Sequence, residues 1–336
     1  MRISLLLISV GLAIASAQSH AAGTASMQAA VVTGSTLRIQ AVPRPSPAAG
    51  EVLVRLQYAS VNPADWKRAS GKPEDPSIGR PRDGQPAIPG LDAAGIIAAL
   101  GPAVSGFTVG DAVLLWSRHG GTYAQYVAVS AKDVIRRPDD LSPEKAAAIP
   151  HAGLAAWGML MDIARVHSGQ NVLVLGGAGG VGSAAVQIAR MQGAHVTATA
   201  SARNAAYLHQ IGADRVIDYN SQHFEELVRN VDVVVNAVDA DNAYRGLAVT
   251  KRGGYLVSVA GLPEAAQCAG RGVICVARDP ALTSTRRALG QLADWARDGR
   301  FSVNIDRTFE LKDVLQAWGY SQAGHTRGKA IIHLGG

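Results

Sequence analysis

Leu175-Gly176-Gly177-Ala178-Gly179-Gly180-Val181-Gly182 is the stretch on which the fold of this chain turns. Before it, Asn171 to Leu175 is short and almost wholly apolar; after it, Val181 to Gln192 carries apolar residues at helical spacing. Gly177, Gly179 and Gly182 satisfy G-x-G-x-x-G between a predicted strand and a predicted helix, the context in which that pattern carries information. One glycine permits the tight turn, one lets the backbone approach a pyrophosphate, and one lets the helix pack on the strand. The helix N-terminus adds unpaired N–H groups and the positive end of its dipole. A dinucleotide is the ligand this geometry suits. The next strand, His195 to Ala200, ends in Ser201-Ala202-Arg203, where a site for an unphosphorylated ribose would need an acid. A hydroxyl and a guanidinium suit a 2′-phosphate, since Arg pairs phosphate through two N–H groups. NADPH is therefore the expected cofactor.

Outward from the loop, helix Arg203 to Ile211, strand Arg215 to Tyr219 and strands Val231 to Val238, Gly254 to Ala260 and Gly272 to Val276 continue the alternation. Strands apolar along their whole length, alternating with helices, predict an α/β Rossmann-type, doubly wound parallel sheet over residues 151–280. Residues 27–150 read instead as short strands broken by Gly and Pro, among them Glu51 to Leu56, Ala94 to Leu100 and Asp111 to Trp116, with Lys67 to Gly84 a loop by composition. An amphipathic helix over 283–298 and a strand–helix–strand tail close the chain. The tail does not extend the doubly wound series, so residues 281–336 are expected to return to the first domain.

Composition sets the limits. A chain of 336 residues is long enough for two domains. With 48% hydrophobic and 17% charged residues it is not a disordered chain. The net charge is +6 and the basic residues are dispersed, which suits anionic small ligands and no nucleic-acid partner. Cys268 and Cys275 are too few for a disulfide scaffold or a four-cysteine zinc site. They are expected as free, buried thiols, with pairing across a tight hairpin as the alternative in an oxidising compartment. Met1-Arg2, the apolar run Ile3 to Ala15 and the small residues Ala15-Ser16-Ala17 have the layout of a signal peptide, too short for stable membrane insertion. A periplasmic or secreted protein follows if residues 1–26 are such a signal, a cytoplasmic one if translation starts near Met27.

Several segments together carry a family resemblance: Val61-Asn62-Pro63-Ala64-Asp65-Trp66-Lys67, Pro89-Gly90-Leu91-Asp92-Ala93-Ala94-Gly95, Val109-Gly110-Asp111, Gly121-Thr122-Tyr123-Ala124-Gln125-Tyr126, the glycine loop, Ile211-Gly212-Ala213-Asp214 and Gly328-Lys329-Ala330. From about Met27 to Leu334 the chain resembles the medium-chain dehydrogenase/reductase superfamily, in its zinc-free quinone oxidoreductase and enone (enoyl) reductase branch. The resemblance implies a GroES-like distorted β-barrel catalytic domain beside the Rossmann domain, an active site in the cleft between them, and a homodimer. By position, Gly179, Gly180, Val181 and Gly182 would hold the pyrophosphate. Ser201, Arg203 and Tyr219 would surround the 2′-phosphate and adenosine. Asn236, Ala237 and Val238, with Val259, Ala260 and Gly261, would line the nicotinamide side. Asn62 and Lys67 would face the reacting carbonyl or the nicotinamide ribose. Where relatives often have Leu-Thr-Ala, this chain reads Leu154-Ala155-Ala156.

The zinc enzymes of that superfamily need a thiolate and a His that Asn62-Pro63-Ala64-Asp65 and Gly90-Leu91-Asp92 do not supply, so no metal is expected. Without a Lewis acid, a conjugated carbonyl or quinone is the accessible electrophile, because the charge spreads into an enolate that hydrogen-bond donors can hold. Lys67, Asn62 and Tyr123 are the candidate catalytic residues, with Lys67, Tyr123 or water as the acid. His119 and His151 show no partner in the sequence and are expected to be structural or solvated. The expected activity is NADPH-dependent reduction of quinones or α,β-unsaturated carbonyls, taking a small-molecule electrophile. The alternative is a non-catalytic NADPH-binding sensor or interaction protein on the same fold.

Overall fold

The computed structural model describes residues 25–71, 79–280 and 283–335. The apolar leader and the candidate cleavage site lie outside the described residues. The first unit contains β1 (Ser26–Thr33), β2 (Thr36–Pro43), β3 (Glu51–Ser60), α1 (Pro63–Ala69), β4 (Asp92–Leu100), β5 (Ala112–Trp116), β6 (Tyr126–Ser130), β7 (Val134–Arg136) and α2 (Pro143–Ala148). The second contains α3 (Pro150–Trp157), β8 (Asn171–Leu175), α4 (Gly180–Met191), β9 (His195–Ala200), α5 (Ala205–Gln210), β10 (Arg215–Asp218), α6 (Phe224–Leu227), β11 (Val231–Asn236), α7 (Ala240–Val249), β12 (Thr250–Ser258), α8 (Ala265–Arg271) and β13 (Ile274–Ala277). The tail adds α9 (Thr285–Arg297), β14 (Ile305–Glu310), α10 (Val314–Gln322) and β15 (Lys329–His333).

The second unit is a parallel sheet in the order β10-β9-β8-β11-β12-β13. Its central strands β8 and β11 are almost wholly apolar because both faces are covered, and the period of two sorts the core residues of the sheet. Val172, Val174, Val233, Val235 and Val257 join the core beneath α3, α4 and α9. Leu173, Leu175, Val234 and Leu256 join the opposite core with Ala243 and Leu247 of α7 and Cys268 of α8. The order reverses between β8 and β11, so the loop after β8 opens at the switch point where such sheets bind ligands.

The first unit is built on antiparallel pairs β3–β4, β4–β5, β5–β7 and β3–β6, around a separate core that includes Val54, Leu56, Val113, Leu115 and Val129. The tail does return: β15 pairs antiparallel with β3 and parallel with β14, and α10 adds Ala317 and Trp318 to that core. The return is complete only from Ile305 onward. Before it, α9 packs Ala288, Leu289 and Leu292 into the core of the sheet unit and bonds Ala131 O through Arg286.

Two expectations are corrected. Lys67 lies on α1, not in a loop: Pro63 opens the helix with its preset φ, and the Asp65 carboxylate accepts the Asn62 main-chain N–H at 2.8 Å. Cys268 and Cys275 are joined by a disulfide rather than free. The bridge ties the buried end of α8 to the edge strand β13 through the left-handed Gly272 (φ +64°), not across a hairpin between two strands. Closing a loop this short is worth about 2–3 kcal/mol through the unfolded chain. Reduction is therefore expected to lower the melting temperature by roughly 3–5 °C. A C268S/C275S variant should melt equally low and no longer respond to reductant, as scanning fluorimetry would show.

Candidate functional site

The glycine loop divides its labour physically. A Cβ at Gly182 would lie 2.1 Å from Gly176 O and 2.9 Å from Gly177 Cα, so this position closes the helix onto the strand. A Cβ at Gly179 would meet no protein atom closer than 3.6 Å. The fold itself therefore does not demand glycine at 179, the position where the motif expects a pyrophosphate to approach the backbone. The end of β9 holds the loop in shape, with Gly176 N–H donating to Thr199 Oγ1 at 3.1 Å and Gly177 N–H to Thr199 O at 2.9 Å.

A cleft of about 600 Å³ runs from this loop between the two units. Gly176, Ala178, Gly179, Ser201, Arg203, Tyr219, Ala237 and Val238 line it on the sheet side, and Pro63, Trp66 and Lys67 on the side of α1. The structure thus brings Lys67 to the same cleft as the residues expected to hold a dinucleotide. Asn236 lies behind the wall, fully buried, its amide donating to Ser258 Oγ at 2.9 Å and Asp239 O at 2.8 Å. Val259, Ala260 and Gly261 follow the neighbouring strand end, in register with Asn236.

The far wall was not visible in sequence. Gln322, Gly324, His325 and Thr326, from the end of α10 and the turn after it, face the loop across the cleft. Arg203 donates to His325 O at 3.0 Å, and Arg327 to Asn204 Oδ1 at 2.7 Å and Arg203 O at 3.1 Å. No local signal in the tail announces this, because the partners are more than 120 residues away.

Asn62 and Tyr123 do not join Lys67 in the cleft. Both are fully buried, in a polar network beneath α1. Asn62 Nδ2 donates to Asp92 Oδ1 at 2.7 Å, and Ser60 Oγ donates to the same oxygen at 2.6 Å. The Lys329 ammonium donates to Asn62 Oδ1 and, at 3.5 Å, to Val61 O. Tyr123 OH donates to Asp65 Oδ2 at 2.6 Å. Lys329 also reaches the phosphate loop, for a Cβ at Gly180 would lie 2.8 Å from its Cε. Asp65, Asp92 and Lys329 stood in the motifs that carried the resemblance, but nothing in their spacing placed them together.

His151, expected to be structural or solvated, has partners that the sequence did not show. Its main-chain N–H donates to Asp92 Oδ2 at 2.9 Å, and the Trp116 indole donates to its Nδ1 at 3.3 Å. Burial, with the Lys329 and Arg278 charges nearby, pushes the imidazole well below its ordinary pKa, so it is neutral at pH 7. His119 Nδ1 lies 3.2 Å from Arg80 O.

Across α1 from the cleft lies an apolar cavity of about 430 Å³, lined by Ala64, Asp65, Arg68, Ile88, Pro89, Leu91 and neighbours. The burial of Asp65 pushes its carboxyl up to about 7, although Tyr123 OH and Asn62 N–H favour the ionised form; its Oδ1 has no partner. Among the described residues no three His, Cys, Asp or Glu side chains are grouped to hold a metal ion.

Two outcomes follow. G179A should keep the melting temperature of the parent and weaken dinucleotide binding about tenfold or more, whereas G182A should destabilise the fold; calorimetry and thermal melting separate the two. The folded state holds the Asp65 proton up to about pH 7, while the unfolded chain releases it near pH 4. Its contribution to stability is present at low pH and is lost as pH rises between those values. D65N, which does not titrate there, should gain on the parent in melting temperature from pH 4 to 7; parallel profiles would contradict this.

Residues 48–139 match the alcohol dehydrogenase GroES-like domain, residues 211–332 the zinc-binding dehydrogenase domain, and residues 147–251 the alanine dehydrogenase/PNT C-terminal domain. The chain is 30% identical over 312 residues to the chloroplastic quinone-oxidoreductase QR1 of Triphysaria versicolor, covering 87% of this chain and 92% of that one. It is 30% identical over 297 residues to the chloroplastic NADPH-dependent alkenal/one oxidoreductase of Arabidopsis thaliana, covering 84% and 72%. The solved quinone oxidoreductase of Coxiella burnetii superposes with a TM-score of 0.81 at 27% identity, over 92% of this chain and 98% of that one. With these relatives and this two-unit fold, the chain belongs to the quinone oxidoreductase and enone reductase branch of the medium-chain dehydrogenase/reductase superfamily.

Proposed function

We propose that this protein is an NADPH-dependent reductase of quinones or α,β-unsaturated carbonyls that works without zinc. The observation that carries this reading is the position of α1, a single helix with a dinucleotide-sized cleft on one side and an apolar cavity on the other. A reduced cofactor in the cleft and an apolar electrophile in the cavity would meet at the head of that helix. Relatives named for quinone and alkenal/one reduction align with 87% and 84% of this chain.

The residues present fit a pyridine dinucleotide. Gly179 leaves its backbone open, and Gly177, Gly180, Val181 and Gly182 shape the start of α4 around it, whose N-terminal amides suit the pyrophosphate. Ser201, Arg203 and Tyr219 line the cleft and would take the 2′-phosphate and adenosine; among the described residues lining it there is no acid. Ala237, Val238 and the 259–261 turn would flank the nicotinamide, and Lys67 the nicotinamide ribose. When bound, the cofactor supplies a hydride. The chain's own residues do the rest: they exclude water behind α1, hold the electrophile in an apolar wall and stabilise the oxygen on which charge gathers. Asn62 and Asp92, at the positions where zinc relatives place metal ligands, are already engaged with Lys329 and the His151 main chain. That donor set favours a conjugated acceptor, whose charge spreads without a Lewis acid.

The Cys268–Cys275 bridge favours an oxidising compartment, and NADPH supply favours the cytoplasm. N-terminal sequencing of the native chain decides between them. Among the described residues no helix is long and apolar enough to cross a membrane.

The test is consumption of NADPH, followed by its absorbance, with a naphthoquinone and a simple alkyl vinyl ketone. Turnover of either supports the reading. Tight NADPH binding with no turnover across a broad electrophile panel overturns it in favour of a binding protein. R203A should raise KM for NADPH about tenfold and leave KM for NADH unchanged, the loss of one charge-assisted phosphate contact.

A further inference from the structure

His151 is gripped at two points by residues that face each other across a sheet. Asp92 and Trp116 are direct partners in the β4–β5 register. Asp92 takes the main-chain N–H of His151, and Trp116 gives its indole N–H to the ring. An indole nitrogen only donates, so Nδ1 is the unprotonated nitrogen of the ring. A neutral imidazole in that state carries its proton on Nε2, and the side chain is only half-buried. The tautomer is therefore set by Trp116, leaving Nε2–H as the ring's remaining donor.

Its place is as specific as its tautomer. Leu91, the chain neighbour of Asp92, lines the apolar cavity. Lys329, whose charge acts on His151, lies against Gly180 of the phosphate loop. Arg278, the other charge acting on it, donates its main-chain N–H to Ser258 O at the carboxyl end of β12. His151 is thus anchored on Asp92, the chain neighbour of the cavity-lining Leu91, and lies within reach of the Lys329 charge, whose side chain also meets Gly180.

Resting on the hydride-transfer function proposed above, we infer that His151 is the oxyanion donor of the reaction: its Nε2–H hydrogen-bonds the carbonyl oxygen of the bound enone and holds the enolate oxygen that forms. As the hydride of the reduced dinucleotide adds to the distal alkene carbon, a new C–H bond forms there. The alkene π pair moves toward the carbonyl carbon, and the carbonyl π pair moves onto oxygen. The substrate is reduced and the dinucleotide oxidised by the same two electrons. The Nε2–H bond stays intact, and water protonates the α-carbon. A neutral donor suits this role because it stabilises the oxyanion without surrendering its proton first, and its two anchors hold it in place before the charge develops.

Two readouts test it. In the first, cofactor-free protein is titrated with a substituted phenolate, a stable mimic of the enolate oxygen, and binding is followed by the phenolate absorbance. H151L is expected to bind it about tenfold more weakly or worse. In the second, kcat with the vinyl ketone should fall about a hundredfold in H151L, with the Kd for NADPH unchanged. H151Q, which keeps an N–H donor, should recover part of the loss. W116F should lower kcat about three- to tenfold, because either ring nitrogen can then carry the proton. If H151L does not fold, W116F and H151Q decide alone. Parent-like phenolate affinity and kcat in a folded H151L, or in both W116F and H151Q, overturn the inference while leaving the reductase function standing. A parent protein that binds NADPH but reduces nothing overturns the reductase function itself, and the inference with it.

Discussion

A buried ammonium holds this molecule together at its functional seam. Lys329 is 4% exposed, and its charge is accepted by Asn62 Oδ1 and the Val61 carbonyl, with Asp65 and Asp92 close enough to oppose the desolvation that lowers its pKa. A charge buried to this depth persists only when it is paired and hydrogen-bonded. Because its alkyl chain also lies against Gly180, that pairing fixes the barrel unit at a definite height over the phosphate loop. The adjoining Gly328 adds a main-chain bond to Ala178 O at 2.8 Å. The last strand of the chain thus fastens the two units at the glycine loop.

Around that fastening, polar groups are shared so that each anchor serves two or three partners. Asp92 accepts Ser60 and Asn62 on one oxygen and the His151 main chain on the other. Asp65 accepts Asn62 N–H and Tyr123 OH on one oxygen, and its other oxygen is left without a partner. Fully satisfied members make such a network rigid, and the unsatisfied oxygen marks where it resists ionisation. α1 rests on this network, so the faces it turns to the cleft and to the apolar cavity are set by buried polar bonds as well as by packing.

Legibility in the sequence followed the range of the interactions. The six-stranded sheet was readable because each strand's apolar run and each helix's spacing depend on neighbours a few residues away. The glycine loop was readable for the same reason, and so was the missing acid after β9. Lys67 lines the cleft beside the glycine loop, but its helix was hidden by a composition rich in Pro and Gly. The burial of Asn62 and Tyr123 was not legible, because burial depends on which distant strands close over a residue. The disulfide was open for a related reason: seven residues of separation permit a bridge but do not require one.

The amino-acid sequence by itself determined a doubly wound sheet, a glycine-rich turn at its switch point, a β-rich partner unit and a tail that returns to it. Those properties arise from periodicity, turn chemistry and the conformational freedom of glycine, all of which act locally. Only the tertiary structure decided that Lys329 meets Asn62 across 267 residues, that Trp116 sets the tautomer of His151, and that Arg203 meets the turn after α10. Such contacts come from folding one apolar core against another, and no short window of residues contains both partners.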